Sequence, residues 1–507
     1  MPSEESTFRP AMKLMSGRLA AFAITFLTPV LLVRLFNQSE FGTYKQFLLI
    51  TYTPYLIGCA FSECLFYFLP RDPSRGGRYT MNALLMLFAC GTLCLIAMVT
   101  NASRIAGMVS NSAISAYVPI MGFFLLFMLM GTVLEITMIS RKRYSLAAST
   151  YAASDLLRAA FLLVPALLTR TLVWALVGTV IFFGIRLCAA FVYFRWEFGS
   201  EVRPDTQLLK EQWVYVLPYT LAGIVQVIQQ NYHQYVVAFH FDAATFAIYS
   251  VGCLQIPLVD FVSTPTSNVM MVRMSEKLRD GDHRGLLSIW HDTTRKLALI
   301  FFPLVGLLLA DAYRLITFLF TTAYAASVPI FMVWSFSVLA AALQTDGFLR
   351  VVAQIRYMFV TNIVRLVMVL LLMGWSLRVF GLMGAVIITL VGILLARIMA
   401  LSRIRKVLRT TYPELLPWRN LGKTLIAAML AAIPANILNA RAYAAAPVML
   451  LVSGMAYVAV YALLVLIFRL VNEQEIEAIK RIVYVWNRRS IESAPQPRMG
   501  TRSPIDV

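Results

Sequence analysis

The feature that most constrains this chain is a succession of apolar runs, each near the roughly 20 residues a helix needs to cross a hydrocarbon core of about 30 Å. About fourteen such runs can be placed, near 13–35, 44–69, 80–100, 115–139, 146–168, 171–194, 213–239, 246–271, 297–318, 327–348, 357–377, 381–402, 421–439 and 447–470. Most are joined by short polar turns. The chain is 60% hydrophobic and only 14% charged, against roughly 25% charged in a soluble domain. The expected fold class is therefore all-α, a polytopic membrane protein.

A repeat organises these runs. The first hairpin, Val33 to Tyr44, joins two apolar runs by a short polar turn, and His240 to Tyr249 echoes it, again ending in a small residue two before a Tyr. The chain thus reads as two pseudo-repeated six-helix lobes plus two C-terminal helices. The expected boundaries are 1–195 for the N-terminal lobe, 196–212 for an inter-lobe linker and 213–405 for the C-terminal lobe. Two additional helices fill 406–470, and 471–507 is a tail whose end beyond Ser490 is expected to be disordered. In the linker, Leu208, Leu209 and Trp213 suggest a short interfacial helix. The segment Arg273 to Lys296 reads as the longest connection of the second half, with a turn signal at Asp280-Gly281-Asp282.

Lys and Arg set the orientation, because cytoplasmic connections carry the positive excess. Alternate connections, such as Arg71/Arg75/Arg78, Arg141-Lys142-Arg143 and Arg403/Arg405/Lys406/Arg409, collect roughly thirty basic residues against about seven on the other side. Both termini are expected to be cytoplasmic, in the inner membrane. The net charge of +19 then reflects topology and contact with anionic membrane lipid, with no nucleic acid as partner. No cleavable signal peptide is evident, since the first apolar run is long and followed at once by a second. The six cysteines all fall inside spans without metal-site companions and read as small core residues. Outward connections are short, the longest being about Asn101 to Ser112, too short to hold an acceptor for glycan polymerisation.

Polar residues inside the spans carry the functional information, since each is costly in lipid unless it faces a cavity or a partner. The seventh span places Gln226, Gln229, Gln230, His233 and Gln234 on one helical face. The next span repeats the pattern from Gln255 with Asp260 and Ser263, Pro257 and Pro265 bending it, and Tyr52, Tyr55, Cys59, Ser62 and Glu63 form a weaker stripe in the second. Interhelical hydrogen bonding is the bland reading. The functional one is a hydrated cavity lined by amides, hydroxyls and aromatic rings, groups suited to the hydroxyls of a sugar. Asp155/Arg158 and Asp346/Arg350 sit at spacings that let each pair neutralise itself on one helix. Arg18 and Arg365 have no such partner on their own helices and are candidate cationic anchors, whereas Glu63, Glu135 and Asp260 are candidate coupling or cavity acids. No phosphate-binding Gly-rich loop, zinc spacing or His cluster is present, so no enzyme activity, cofactor or metal is expected.

The pattern Leu32-Val33-Arg34-Leu35-Phe36, then Glu40-Phe41-Gly42-Thr43-Tyr44, resembles the start of bacterial polysaccharide biosynthesis flippases. These are the O-antigen and exopolysaccharide translocases of the multidrug/oligosaccharidyl-lipid/polysaccharide exporter superfamily. Phe246-Ala247-Ile248-Tyr249 and Asp280-Gly281-Asp282 look like the family's corresponding second-half segment, with Ala247 where Gly is often expected. The resemblance implies two lobes around a central cavity and alternating access for an undecaprenyl-diphosphate-linked oligosaccharide, with glycan polymerase and chain-length proteins as further partners. It implies that Arg forks would meet the diphosphate. A peptidoglycan-precursor flippase, an ion-coupled multidrug antiporter and a membrane glycan polymerase or ligase stand as alternatives.

Overall fold

The computed structural model describes residues 24, 26–440 and 445–471, with the side chains of residues 219, 222 and 226 outside that description. Among the described residues every regular element is a helix, and the protein is an all-α polytopic membrane protein. Eleven helices among the described residues are long and apolar enough to cross a membrane, or twelve if the bent pair Ala243–Gly252 and Pro257–Arg279 forms one span. The remaining two expected runs fare differently. Of the first, only Phe26–Leu35 is described as an apolar helix. The seventh lies in Thr206–His240, at 35 residues the longest helix, whose run of amides lowers its apolarity.

The repeated turns are built alike. Asn37 caps helix Gln38–Glu63 with extended φ/ψ of −71°/171° and accepts from Glu40 N at 2.9 Å. Asp242 caps Ala243–Gly252 at −68°/170° and accepts from Thr245 N at 2.9 Å. Each cap satisfies an otherwise orphaned helix donor, and both are followed at the same spacings by a buried Phe, Phe41 or Phe246, and a buried Tyr, Tyr44 or Tyr249. These two helices also pack on each other, and a Cβ on Gly42 would run into the carbonyl of Ala243. Glycine at that position lets two backbones meet.

The helices form two compact units, Met1–Pro257 with Ala312–Ala340 and Ala353–Ser402, and Leu258–Asp311 with Ala341–Val352 and Arg403–Val507. In the first, helix Gly76–Thr100 packs on Val118–Gly131, Tyr144–Thr169 on Leu172–Phe198, and Gln38–Glu63 on Thr206–His240. In the second, His283–Ala310 packs on Trp418–Ala440, which packs on Ala446–Ile467. Buried Ala427, Ala428, Ala431 and Ala435 give Trp418–Ala440 a small-residue stripe that permits close approach. Tyr457 donates to Ala428 O across it at 3.0 Å.

Two expectations need correction, and a third gains detail. Leu208, Leu209 and Trp213 belong to the opening turns of Thr206–His240, because Asp205 caps that helix through Gln207 N and Leu208 N and nothing interrupts it afterwards. The segment 273–296 is mostly helical: Gly281 takes the left-handed φ of 70° that ends Pro257–Arg279, and Asp282 caps His283–Ala310. The segment 101–112, expected as a short outward connection, holds a short helix, Ala102–Met108.

Candidate functional site

Helix Gln38–Glu63 sets Tyr44, Lys45, Leu48 and Tyr52 on one side at spacings of about one and two turns. That side closes a cavity of about 220 Å³ inside the first compact unit. The opposite walls are Arg158, Ala159 and Leu162 of Tyr144–Thr169, Leu176 and Thr179 of Leu172–Phe198, Phe124, and the Thr28-Pro29 corner. Two cations look into a mostly apolar, phenol-lined chamber.

Their partners differ. Arg158 Nη2 donates to Asp155 Oδ1 at 2.9 Å and Nη1 to the Tyr52 hydroxyl at 3.3 Å, and Tyr52 sits edge-on to Tyr55 at 5.6 Å. The i,i+3 pairing expected from the sequence is therefore present, yet it leaves Arg158 in the cavity wall. Lys45 makes no ion pair among the described residues and lies 5.4 Å from the centroid of the Phe41 ring. With two cations and one carboxylate at its border, the chamber wall carries an excess of positive charge. A guanidinium supplies a planar fork and an ammonium a point charge, a combination able to hold phosphate oxygens.

The amide stripe of the seventh span is divided among several neighbours. Gln229, His233 and Arg365 come together with Tyr232 and Thr389 around a second, very small cavity. Within it His233 is 4% exposed, shares a hydrogen bond of 2.7 Å between Nδ1 and the Tyr249 hydroxyl, and lies 5.4 Å from the Trp334 ring. It is held in the core rather than turned to a hydrated groove, because Tyr249 of the second capped turn is itself fully buried and His233 is its polar partner. Gln229 donates to Asn362 O at 3.0 Å, Gln230 is exposed and Gln234 half-buried. Gln226, by its side chain, and Arg18 lie outside the described residues. The next face of the same helix is tied to Gln38–Glu63, where Asn231 donates to Thr53 Oγ1 at 3.2 Å and Tyr235 to Thr53 Oγ1 at 2.9 Å.

The candidate acids do not gather. Glu135 is 2% exposed and bound to Arg186 at 2.5 Å, Glu63 is exposed and lines neither cavity, and Asp260 is exposed in the second compact unit. Lys45 and Arg158 are the cations that sequence reasoning did not select. The signal for Lys45 was its spacing, one turn before Leu48 and two before Tyr52 on a stripe already noted for its tyrosines.

The fold of this bundle, with its cationic chamber among the spans, is shared at low sequence identity with solved structures of membrane transporters. A solved structure of "Lipid II flippase MurJ, inward closed conformation" matches with a TM-score of 0.70 at 10% identity, over 89% of this chain and 99% of that one. An inward-facing multidrug resistance MATE family transporter of the MOP superfamily matches with a TM-score of 0.62 at 14% identity, over 77% and 96%. A MOP superfamily transporter from Pyrococcus furiosus, described as having a binding pocket of reverse polarity, matches at 0.55 and 13%, over 80% and 96%. No curated protein sequence matches the chain. The family model for polysaccharide biosynthesis proteins matches residues 31–329, more than half of the sequence, and the chain belongs to that family.

Proposed function

We propose that this protein moves a polyprenyl-diphosphate-linked oligosaccharide across the cytoplasmic membrane by alternating access, with undecaprenyl diphosphate as the carrier and a surface polysaccharide as the product. The observation that carries the reading is the cationic chamber: Lys45, without an acidic partner among the described residues, and Arg158, held by Tyr52 and Asp155, face one cavity. A diphosphate dragged through lipid needs such compensation, and the family assignment supports a glycan as the group attached. In this reading Arg18 and Arg365 are further cationic anchors, and Gln229, Gln230 and Gln234 meet sugar hydroxyls. The Lys and Arg excess of alternate connections supports cytoplasmic termini. A small cationic drug would be repelled from the same chamber, which weighs against the antiporter reading.

The test is flipping of a polyprenyl-diphosphate saccharide in proteoliposomes. Loss of one charge-assisted contact is worth about 1.5–3 kcal/mol, so Lys45→Ala should slow translocation by tenfold or more while Lys45→Arg keeps most of the rate. Unchanged flipping by Lys45→Ala, at equal protein abundance, would overturn the assignment. The peptidoglycan precursor carries the same diphosphate, and the similarity to a lipid II flippase favours it as the second reading. Faster flipping of lipid II than of the oligosaccharide lipid would reassign the cargo to it.

A further inference from the structure

A larger cavity lies apart from the cationic chamber. It has a volume of about 600 Å³ and is walled by Phe61, by Leu85, Ala89 and Leu93 of helix Gly76–Thr100, and by Lys210 and Trp213 of helix Thr206–His240. Trp213 stacks on Phe61 at 5.6 Å, yet both Trp213 and Leu93 stay substantially exposed, so the cavity is a groove open along its length.

Polarity changes from one end of the groove to the other. At the mouth, Lys210 stands in the second turn of a helix that begins at the capping residue Asp205, and it makes no ion pair among the described residues. The nearby acids are taken: Arg78 binds Glu201 at 2.8 Å and Asp205 at 3.3 Å. Glu211, next in the chain, projects roughly 100° around the helix from Lys210. Beyond the mouth the walls are Phe, Leu, Met and Ala. From Leu85 to Leu93 the groove runs about 12 Å along its helix, at 1.5 Å per residue, close to the depth of one leaflet of a hydrocarbon core about 30 Å thick. An aromatic ring such as that of Trp213, near the start of a long apolar helix, is favoured where a span meets the membrane surface.

We infer that this groove holds one acyl chain of an anionic phospholipid from the surrounding leaflet, with the phosphate at Lys210 and the chain laid along Ala89 and Leu93. The depth selects this occupant over a polyprenyl chain, which is several times longer than the groove. The charge selects it over a zwitterionic lipid. The site is independent of the cargo chamber, since no residue lines both.

Trp213 supplies the readout, as the difference in fluorescence quenching between the full chain and its Trp213→Phe variant. The vesicles are phosphatidylcholine with an equal small fraction of either dibrominated phosphatidylglycerol or dibrominated phosphatidylcholine. Brominated phosphatidylglycerol should be enriched roughly fivefold in the groove, the ratio given by about 1 kcal/mol of attraction per interfacial lysine. Lys210→Glu should bring the two lipids to parity and Lys210→Arg should not, while Ala89→Phe, which fills the groove, should remove the excess with Lys210 intact. Equal quenching in the unmutated chain would overturn the inference, as would an excess that survives both Lys210→Glu and Ala89→Phe. Displacement of the brominated lipid by polyprenyl phosphate at a lower mole fraction than by unlabelled phosphatidylglycerol would give the groove to the isoprenoid instead.

Discussion

Replacing Arg186 with Leu would leave the Glu135 carboxylate almost wholly buried without its counter-charge. The pair meets through one contact, Arg186 Nη2 to Glu135 Oε2 at 2.5 Å, and the two side chains are 15% and 2% exposed. Glu135 Oε1 and Arg186 Nε are both buried without a hydrogen-bond partner among the described residues. The contact is therefore not the two-point fork that makes such pairs strong. Its main effect is that each charge cancels the other. Removing one partner of a buried pair costs about 3–5 kcal/mol, whereas removing both for apolar groups of similar volume is often neutral. Glu135→Leu and Arg186→Leu should accordingly differ in kind: the first strands a cation able to reach toward water, the second an acid that cannot, so the second should be worse. The double variant should return to within about 1 kcal/mol of the parent, a coupling of several kcal/mol in the cycle. Reversible unfolding in mixed detergent micelles gives the comparison. A double variant destabilised by the sum of the two singles would refute the reasoning. If the double variant is stable but fails to move cargo, Glu135 is a coupling acid and not simply a counter-ion.

Gly42→Ala should destabilise the protein by about 1–3 kcal/mol, because the added methyl meets the backbone of Ala243 and has no side chain to push aside. Ala247→Gly, at the matching place in the second turn, should cost only the roughly 0.5–1 kcal/mol of a glycine inside a helix; equal losses on thermal melting would show that the two turns are not packed differently. Asp205 should make the start of helix Thr206–His240 sensitive to acid. Its carboxyl is held below the ordinary 3.8, first by the Leu208 amide and then by Arg78 and the Gln207 amide. A depressed carboxyl gives stability that is present above the unfolded value and lost as pH falls through the folded one, so Trp213 emission should shift below about pH 4 and lose that dependence in Asp205→Leu.

Much of the bundle was legible because bilayer thickness imposes a length that few other constraints imitate: helices such as Tyr144–Thr169 and Leu382–Leu408 lie where apolar runs were read. Breaks inside spans were harder to place. The bend of 48° precedes Pro257, across residues 253–256, while Pro265 stays inside its helix. The run 297–318 breaks at Asp311, which is buried and accepts from Asn439 at 2.6 Å and Ser453 at 2.8 Å, partners more than a hundred residues away. The candidate site was half legible for the same reason. A stripe shows which residues share a face, and so it brought Gln229 and His233 near Arg365. It does not show what that face meets, and here Tyr249, Trp334 and Asn362 occupy part of it. Lys45 was not singled out as a site residue, because a lone cation near a helix start also reads as one that snorkels.

Time enters through Arg34. Its guanidinium donates to Val30 O within its own helix and, at 2.7 and 3.1 Å, to the carbonyls of Phe318 and Leu319. Phe318 follows it by 284 residues, an interval of roughly a quarter of a minute to a minute at ordinary rates of synthesis. Gly42 likewise waits for Ala243, and Thr53 for Tyr235. The earliest helices must therefore reside in the bilayer for most of translation with their polar contacts provisional, and Arg34, one residue from its helix end, can keep its charge at the water boundary meanwhile. Closure of the first compact unit is then a late event, set by the arrival of its last segments rather than by the insertion of its first.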